Sequence, residues 1–290
     1  MRKGITLIEA IVAIAIIAIL VALLVPAIQR VREASALLQS ENNLKQLALG
    51  LQDLASARGG LLPGCVNVDD PFAFETWVEL LPYIDQGPIY EMHTNPNTTG
   101  QELRNLQLGV FLNPLDPSRG IANTAPGASY YRGGTLAVSS YALNAQVFSS
   151  NVNLVTIRDG LSQTIWLSEH YGWNCNNTTF LYAISWASHW QPFQPATFAQ
   201  GGSVPGRPAP GDYYPVTEGN PPVSVAGDGV TFQMRPTVMN CDPRLPNATS
   251  NGGLQVALGD GSVRIISPRV SDKVFWALVT PNGGEITGPD

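Results

Sequence analysis

The chain has 290 residues, only 13% of them charged, and a formal net charge of −6. No basic cluster exists beyond its first residues, so nucleic acid is excluded as a partner on electrostatic grounds. With 28 Gly and 23 Pro, the bulk of the chain is expected to be short strands and long loops, not a helical bundle.

The first element is apolar. Ile5 to Ile28 is a run of 24 residues in which only Thr6, Glu9 and Pro26 are not Ala, Val, Ile or Leu. As a helix it spans roughly 36 Å, enough for a hydrocarbon core of about 30 Å. A secretory signal would have a shorter core and a small-residue cleavage site at its far end. Here Pro26-Ala27-Ile28-Gln29-Arg30 continues into a helical pattern, and the anchor is expected to be kept. Arg2 and Lys3 before the run favour a cytoplasmic N-terminus with the rest outside. Arg30 and Arg32 on the other side reduce that asymmetry.

Glu9 is the exception within this run. A carboxylate in an apolar anchor costs a few kcal/mol and is read as functional with a partner. The partner expected is a positive group on a neighbouring subunit, such as the amine of a newly exposed N-terminus. The structural alternative is a side chain reaching back to the headgroups.

Beyond Pro26, Leu37, Leu44 and Leu51 recur at seven-residue spacing, with Leu47 and Leu54 offset by three. This is the stripe of an amphipathic helix with one buried face. Gly59-Gly60 supplies its stop. Pro26 removes one backbone bond and is expected to kink the rod.

The remaining chain suits one domain. Glu75 to Ile84 reads as a short helix broken by Pro82. Asp159-Gly160 marks a turn before a strand at Thr164 to Leu167. Two segments, Val223 to Phe232 and Leu254 to Ile266, read as strand, Asp-Gly turn, strand. In the second, Leu254, Val256 and Leu258 alternate with Gln255, Ala257 and Gly259, as a strand with one buried face would. Gln191 to Pro222 holds eight prolines and five glycines and reads as loop. The fold class expected is α+β: one long N-terminal helix carrying a mostly antiparallel, β-rich domain.

Catalysis finds no support. His93, His170 and His189 are scattered, with no metalloprotease helix motif, phosphate loop or nucleophile elbow. No catalytic, cofactor-binding or metal residues are assigned; Glu169-His170 and the Asp69, Asp70, Glu75 group are the weak metal candidates. Cys65, Cys175 and Cys241 allow one disulfide and three pairings. Cys175–Cys241 is the pairing that would staple the domain across the Pro/Gly loop. Trp186, Trp190 and Phe193, with Tyr182, crowd one stretch. They are core if buried, and a platform for a carbohydrate or protein ligand if exposed.

The string K-G-I-T-L-I-E-A, from Lys3 to Ala10, resembles the signal of type IV pilins and type II secretion pseudopilins. That resemblance implies a leader at 1–4, cut between Gly4 and Ile5 by prepilin peptidase, with methylation of Ile5. It implies a transmembrane and assembly helix at 5–28, an amphipathic extension at 29–58 and an extracytoplasmic domain at 59–290. Glu9 would align each subunit on its neighbours, and Pro26 falls where many pilins bend. Further blocks at Asn42 to Leu51, Leu80 to Gln86, Asp159 to Ile165 and Leu278 to Glu285 resemble a bacterial group of pseudopilin-like proteins with a C-terminal H-x9-DG signature. Here Ser250 stands at the His position before Asp260-Gly261, which is read as turn chemistry. Glu41 and Asn113 stand where that group often has cysteines. Prepilin peptidase, other pilin subunits and membrane lipid are the partners implied. The rival reading is a membrane-tethered extracytoplasmic binding protein that never polymerises.

Overall fold

In a computed structural model, the structure describes residues 7–64, 76–95, 106–120, 124–126, 135–148, 152–172, 197–199, 231–242 and 245–284. Helix α1 runs unbroken from Leu7 to Ala57 across Pro26. Its buried positions begin at Ser40 and continue through Asn43, Leu44, Leu47, Ala48, Leu51, Leu54 and Ala55. That is the expected stripe, with Leu37 half-buried at its edge. The helix stops where the glycine pair allows it. The Gly60 N–H reaches the Ala55 carbonyl (2.8 Å) and the Gly59 N–H reaches Ser56 (3.2 Å). Both glycines have positive φ, 67° for Gly59 and 90° for Gly60. These are the paired bonds of a Schellman cap, whose left-handed residue is cheapest as glycine.

Helix α2 (Thr76–Leu80) leads into a 3-10 turn over Leu81–Ile84 that carries Pro82 in its first positions, and α3 (Gly87–Thr94) follows. Proline lacks only a donor that the start of a helical turn leaves unused, so Pro82 changes the helix type without ending the segment. Two short strands, β1 (Thr124–Pro126) and β2 (Thr135–Ala137), pair antiparallel.

The main sheet contains β3 (Tyr141–Asn144), β4 (Ile165–Glu169), β5 (Thr197–Phe198), β8 (Leu254–Leu258) and β9 (Val263–Ile266). Its order is β5-β3-β4-β8-β9. All neighbours are antiparallel except β3 and β5. A separate two-stranded ladder joins β6 (Gln233–Met234) and β7 (Asn247–Ala248) in parallel. The domain is therefore mostly antiparallel, and the class is α+β. Helix α4 (Asp272–Val279) closes the described chain, with the Ser271 hydroxyl accepting from the Val274 N–H at 3.3 Å. The Ser271 cap satisfies one of the open N–H groups of the first turn, and Asp272 suits the positive end of the helix.

The β8–β9 hairpin forms around Asp260-Gly261 as expected, with Gly261 at φ 81°. The one-faced burial expected for β8 is corrected: all five of its residues are buried. Gln255 Nε2 donates to the Leu37 carbonyl of α1 at 3.2 Å, and Gln52 Nε2 of α1 donates to the Gly259 carbonyl. The small and polar face of β8 is thus the helix seat, while Leu254, Val256 and Leu258 face the opposite layer. The other expected hairpin, Val223 to Phe232, lies almost wholly outside the described residues.

The fit of α1 against α2 is tight at Gly50. A Cβ there would sit 2.7 Å from Ile84 Cγ2 and 2.9 Å from Leu80 Cδ1. Gly50→Leu is expected to destabilise the full chain by about 2 kcal/mol through overpacking. Thermal unfolding in detergent checks this. An unchanged melting temperature would mean that α1 is not seated this way.

Candidate functional site: an N-terminal assembly helix

Among the described residues, none buries the first half of α1. From Leu7 to Ser35 every side chain is exposed save Ala10, which is intermediate. Leu7 is 77% exposed and Leu23 70%. An 18-residue window here has mean hydropathy 3.2, and none of it is buried. So large a continuous apolar surface requires lipid or another apolar surface as its cover. Glu9 lies in the first described turn of this surface, and its side chain is exposed. Gly4 and Ile5 lie outside the described residues. Trp186, Trp190, Phe193, Cys65, Cys175, Asp69, Asp70 and Glu75 also lie outside them.

Where the helix meets the domain, its face turns polar, and buried groups pair across the joint. Asn43 Nδ2 donates to the Leu112 carbonyl at 3.0 Å, and the Tyr141 hydroxyl donates to Ser40 Oγ at 3.1 Å. Burial pushes the Tyr141 phenol well above its ordinary pKa, so it stays a donor. Behind these groups sits Glu169, fully buried at the end of β4. Its Oε2 accepts from Asn113 Nδ2 (2.9 Å) and from the Thr249 hydroxyl, and its Oε1 accepts from the Gln255 N–H (2.8 Å). Gln255 in turn reaches α1. Burial raises the Glu169 carboxyl to about 7, and the bonds from Thr249, Gln255 and Asn113 hold it from rising further.

From the sequence, Glu169 reads only as a weak metal candidate beside His170. The structure puts Glu169 in this network and turns His170 elsewhere, its Nδ1–H donating to the Tyr171 carbonyl at 2.6 Å. Among the described residues no three His, Cys, Asp or Glu side chains gather as a metal site. Asn113, which the sequence marks only as a lost cysteine position, is a network member. Nothing in local spacing could have found it, because Asn113, Glu169 and Thr249 are joined solely by folding. Ser250 is buried beside Gly253, and Asp260 Oδ1 caps its own turn through the Ser262 N–H (2.9 Å) and hydroxyl (2.6 Å). That is turn chemistry, as the sequence indicated.

Cys241 is disulfide-bonded and packs on Tyr171, whose hydroxyl donates to the Pro236 carbonyl at 2.7 Å. The partner cysteine lies outside the described residues.

A bare apolar helix carrying a glutamate near its start, with a domain clasped round its second half, defines a membrane-anchored, type IV pilin-like protein. In agreement, residues 1–25 match the model of the prokaryotic N-terminal methylation motif, which implies peptidase processing. Residues 29–273 match the model described as protein of unknown function (DUF1559), and the chain belongs to that family. No curated protein and no solved structure matches the chain.

The Glu169 network carries a pH dependence. Its folded-state pKa lies above the unfolded value, so its stabilising effect is complete below about pH 4.5 and is lost as pH rises through about 7. The melting temperature of the detergent-solubilised chain should therefore fall by roughly 5 °C between pH 5 and pH 8 from this group. Glu169→Gln should flatten that slope, measured by circular dichroism. An equal slope in the variant would assign the dependence to another group.

Proposed function

We propose that the protein is a structural subunit of a type IV pilus or type II secretion pseudopilus, and not an enzyme. The observation that carries this is the uncovered apolar half of α1 with Glu9 upon it, rigidly joined to a domain that starts only at Ser40. In the membrane, lipid covers that surface, with the N-terminus cytoplasmic and the domain extracytoplasmic. In a filament, the same surface of other subunits replaces the lipid. Prepilin peptidase cuts between Gly4 and Ile5, and Glu9 then pairs with the methylated amine of a neighbour's Ile5. A plain tether would gain from an apolar residue in place of Glu9. Pro26 lies inside the continuous helix and is its bending point in the packed filament.

The disulfide partner we propose for Cys241 is Cys175. Tyr171 packs on Cys241, and only four residues of chain, at most about 14 Å, separate Tyr171 from Cys175. Peptide mapping without reduction should yield a linked Cys175–Cys241 pair; a Cys65–Cys241 peptide would refute it.

Two measurements test assembly. Intact mass spectrometry of the native protein should find a chain that starts at N-methylated Ile5. A chain still starting at Met1 would sink the processing step and favour the non-polymerising binding protein. Glu9→Leu should leave membrane insertion intact and remove the subunit from sheared filament fractions; normal incorporation would show that Glu9 does not align subunits.

A further inference from the structure

A groove of about 720 Å³ opens between the base of the domain and the part of α1 that leaves the apolar run. Arg32, Ser35 and Gln39 line it from the helix, at the three- and four-residue spacing that shares one face. Leu115, Arg235 and Thr249 line it from the domain. The described lining also includes Glu33, so two guanidiniums and one carboxylate leave a net charge of +1 (2 − 1). Among the described residues, neither Arg32 nor Arg235 is in an ion pair.

Arg235 is built to point somewhere. It takes a left-handed φ of 42°, which costs a non-glycine residue energy. Its N–H donates to the Ala248 carbonyl at 3.0 Å, which holds the backbone through the β6–β7 ladder. Its Nη1 donates to Asn251 Oδ1 at 3.1 Å, which aims the guanidinium while leaving its other donors for a ligand. Height fixes what that ligand is. Arg32 lies four residues past Ile28, about 6 Å along the helix, and the headgroup layer is about 5–8 Å deep. Arg32 therefore lies at the level of lipid phosphates, and the domain brings Arg235 down to the same groove.

We propose that this groove binds the phosphodiester of a membrane phospholipid, with Arg32 and Arg235 on the phosphate oxygens and the Ser35 hydroxyl as a further donor. Leu115 meets the glycerol end of the chains. The bound lipid seats the domain on the bilayer at a fixed height. This inference rests on the membrane anchor and not on polymerisation.

The test is native mass spectrometry of the full chain in detergent titrated with phosphatidylglycerol. Wild type and Glu9→Leu should each hold one lipid, which keeps this result separate from the assembly reading. Arg235→Gln and Arg32→Gln should each lower occupancy about tenfold at unchanged melting temperature, since each removes a charge-assisted contact. Arg30→Gln removes a nearby charge outside the groove and should change little. An equal loss in Arg30→Gln and Arg235→Gln would reduce the effect to general juxtamembrane attraction and overturn the site. Retention of lipid by Arg235→Gln would overturn it as well. Displacement of the lipid by equimolar inorganic phosphate would mean a soluble phosphate site, and the lipid assignment would fall.

Discussion

The structure depends on one helix being asked to satisfy two solvents. From Leu7 to Ile28 α1 offers apolar side chains in nearly every direction, as a segment surrounded by hydrocarbon must. From Ser40 onward it offers one apolar stripe, and Leu44, Leu47 and Leu51 are wholly buried beneath the sheet. No loop separates the two regimes. The membrane half thus joins the domain core through helix alone, with one backbone bond missing at Pro26.

That coupling explains why the joint is polar. At Ser40 and Asn43 the helix face passes from exposed to domain contact. Purely apolar packing there would leave its rotation and height loosely specified. Hydrogen bonds from Asn43 to Leu112, Tyr141 to Ser40 and Gln255 to Leu37 set both. A buried donor that misses its acceptor costs about 1–3 kcal/mol, so the wrong register is penalised more than the right one is rewarded. Glu169 extends the same logic. Its carboxylate collects three neutral donors from β8, β7's flank and the Asn113 loop, tying together segments that share no sequence neighbourhood.

The described surface places its unusual features at the membrane end. The groove with Arg32 and Arg235, the strained backbone of Arg235 and the start of the polar joint all lie within a few turns of where α1 leaves the apolar run. The remaining core, with edge-to-face pairs such as Trp77–Phe111 and Phe148–Trp166, is ordinary domain packing.

The anchor, the leucine stripe, the Gly59-Gly60 stop and the Asp260-Gly261 hairpin were legible in the sequence, because each rests on residues close to one another along the chain. Period, charge and turn chemistry are local physics. The double-sided burial of β8 was not legible, since its Gln255 face becomes interior only when α1 lies across it. Nor was the shift to 3-10 geometry at Leu81, which a proline permits without announcing. The chain by itself determined that it would be an apolar helix followed by a β-rich domain. Only the tertiary structure decided which polar residues would be buried, because Asn113, Glu169, Thr249 and Gln255 acquire partners through contacts that span from 56 to 218 residues of sequence.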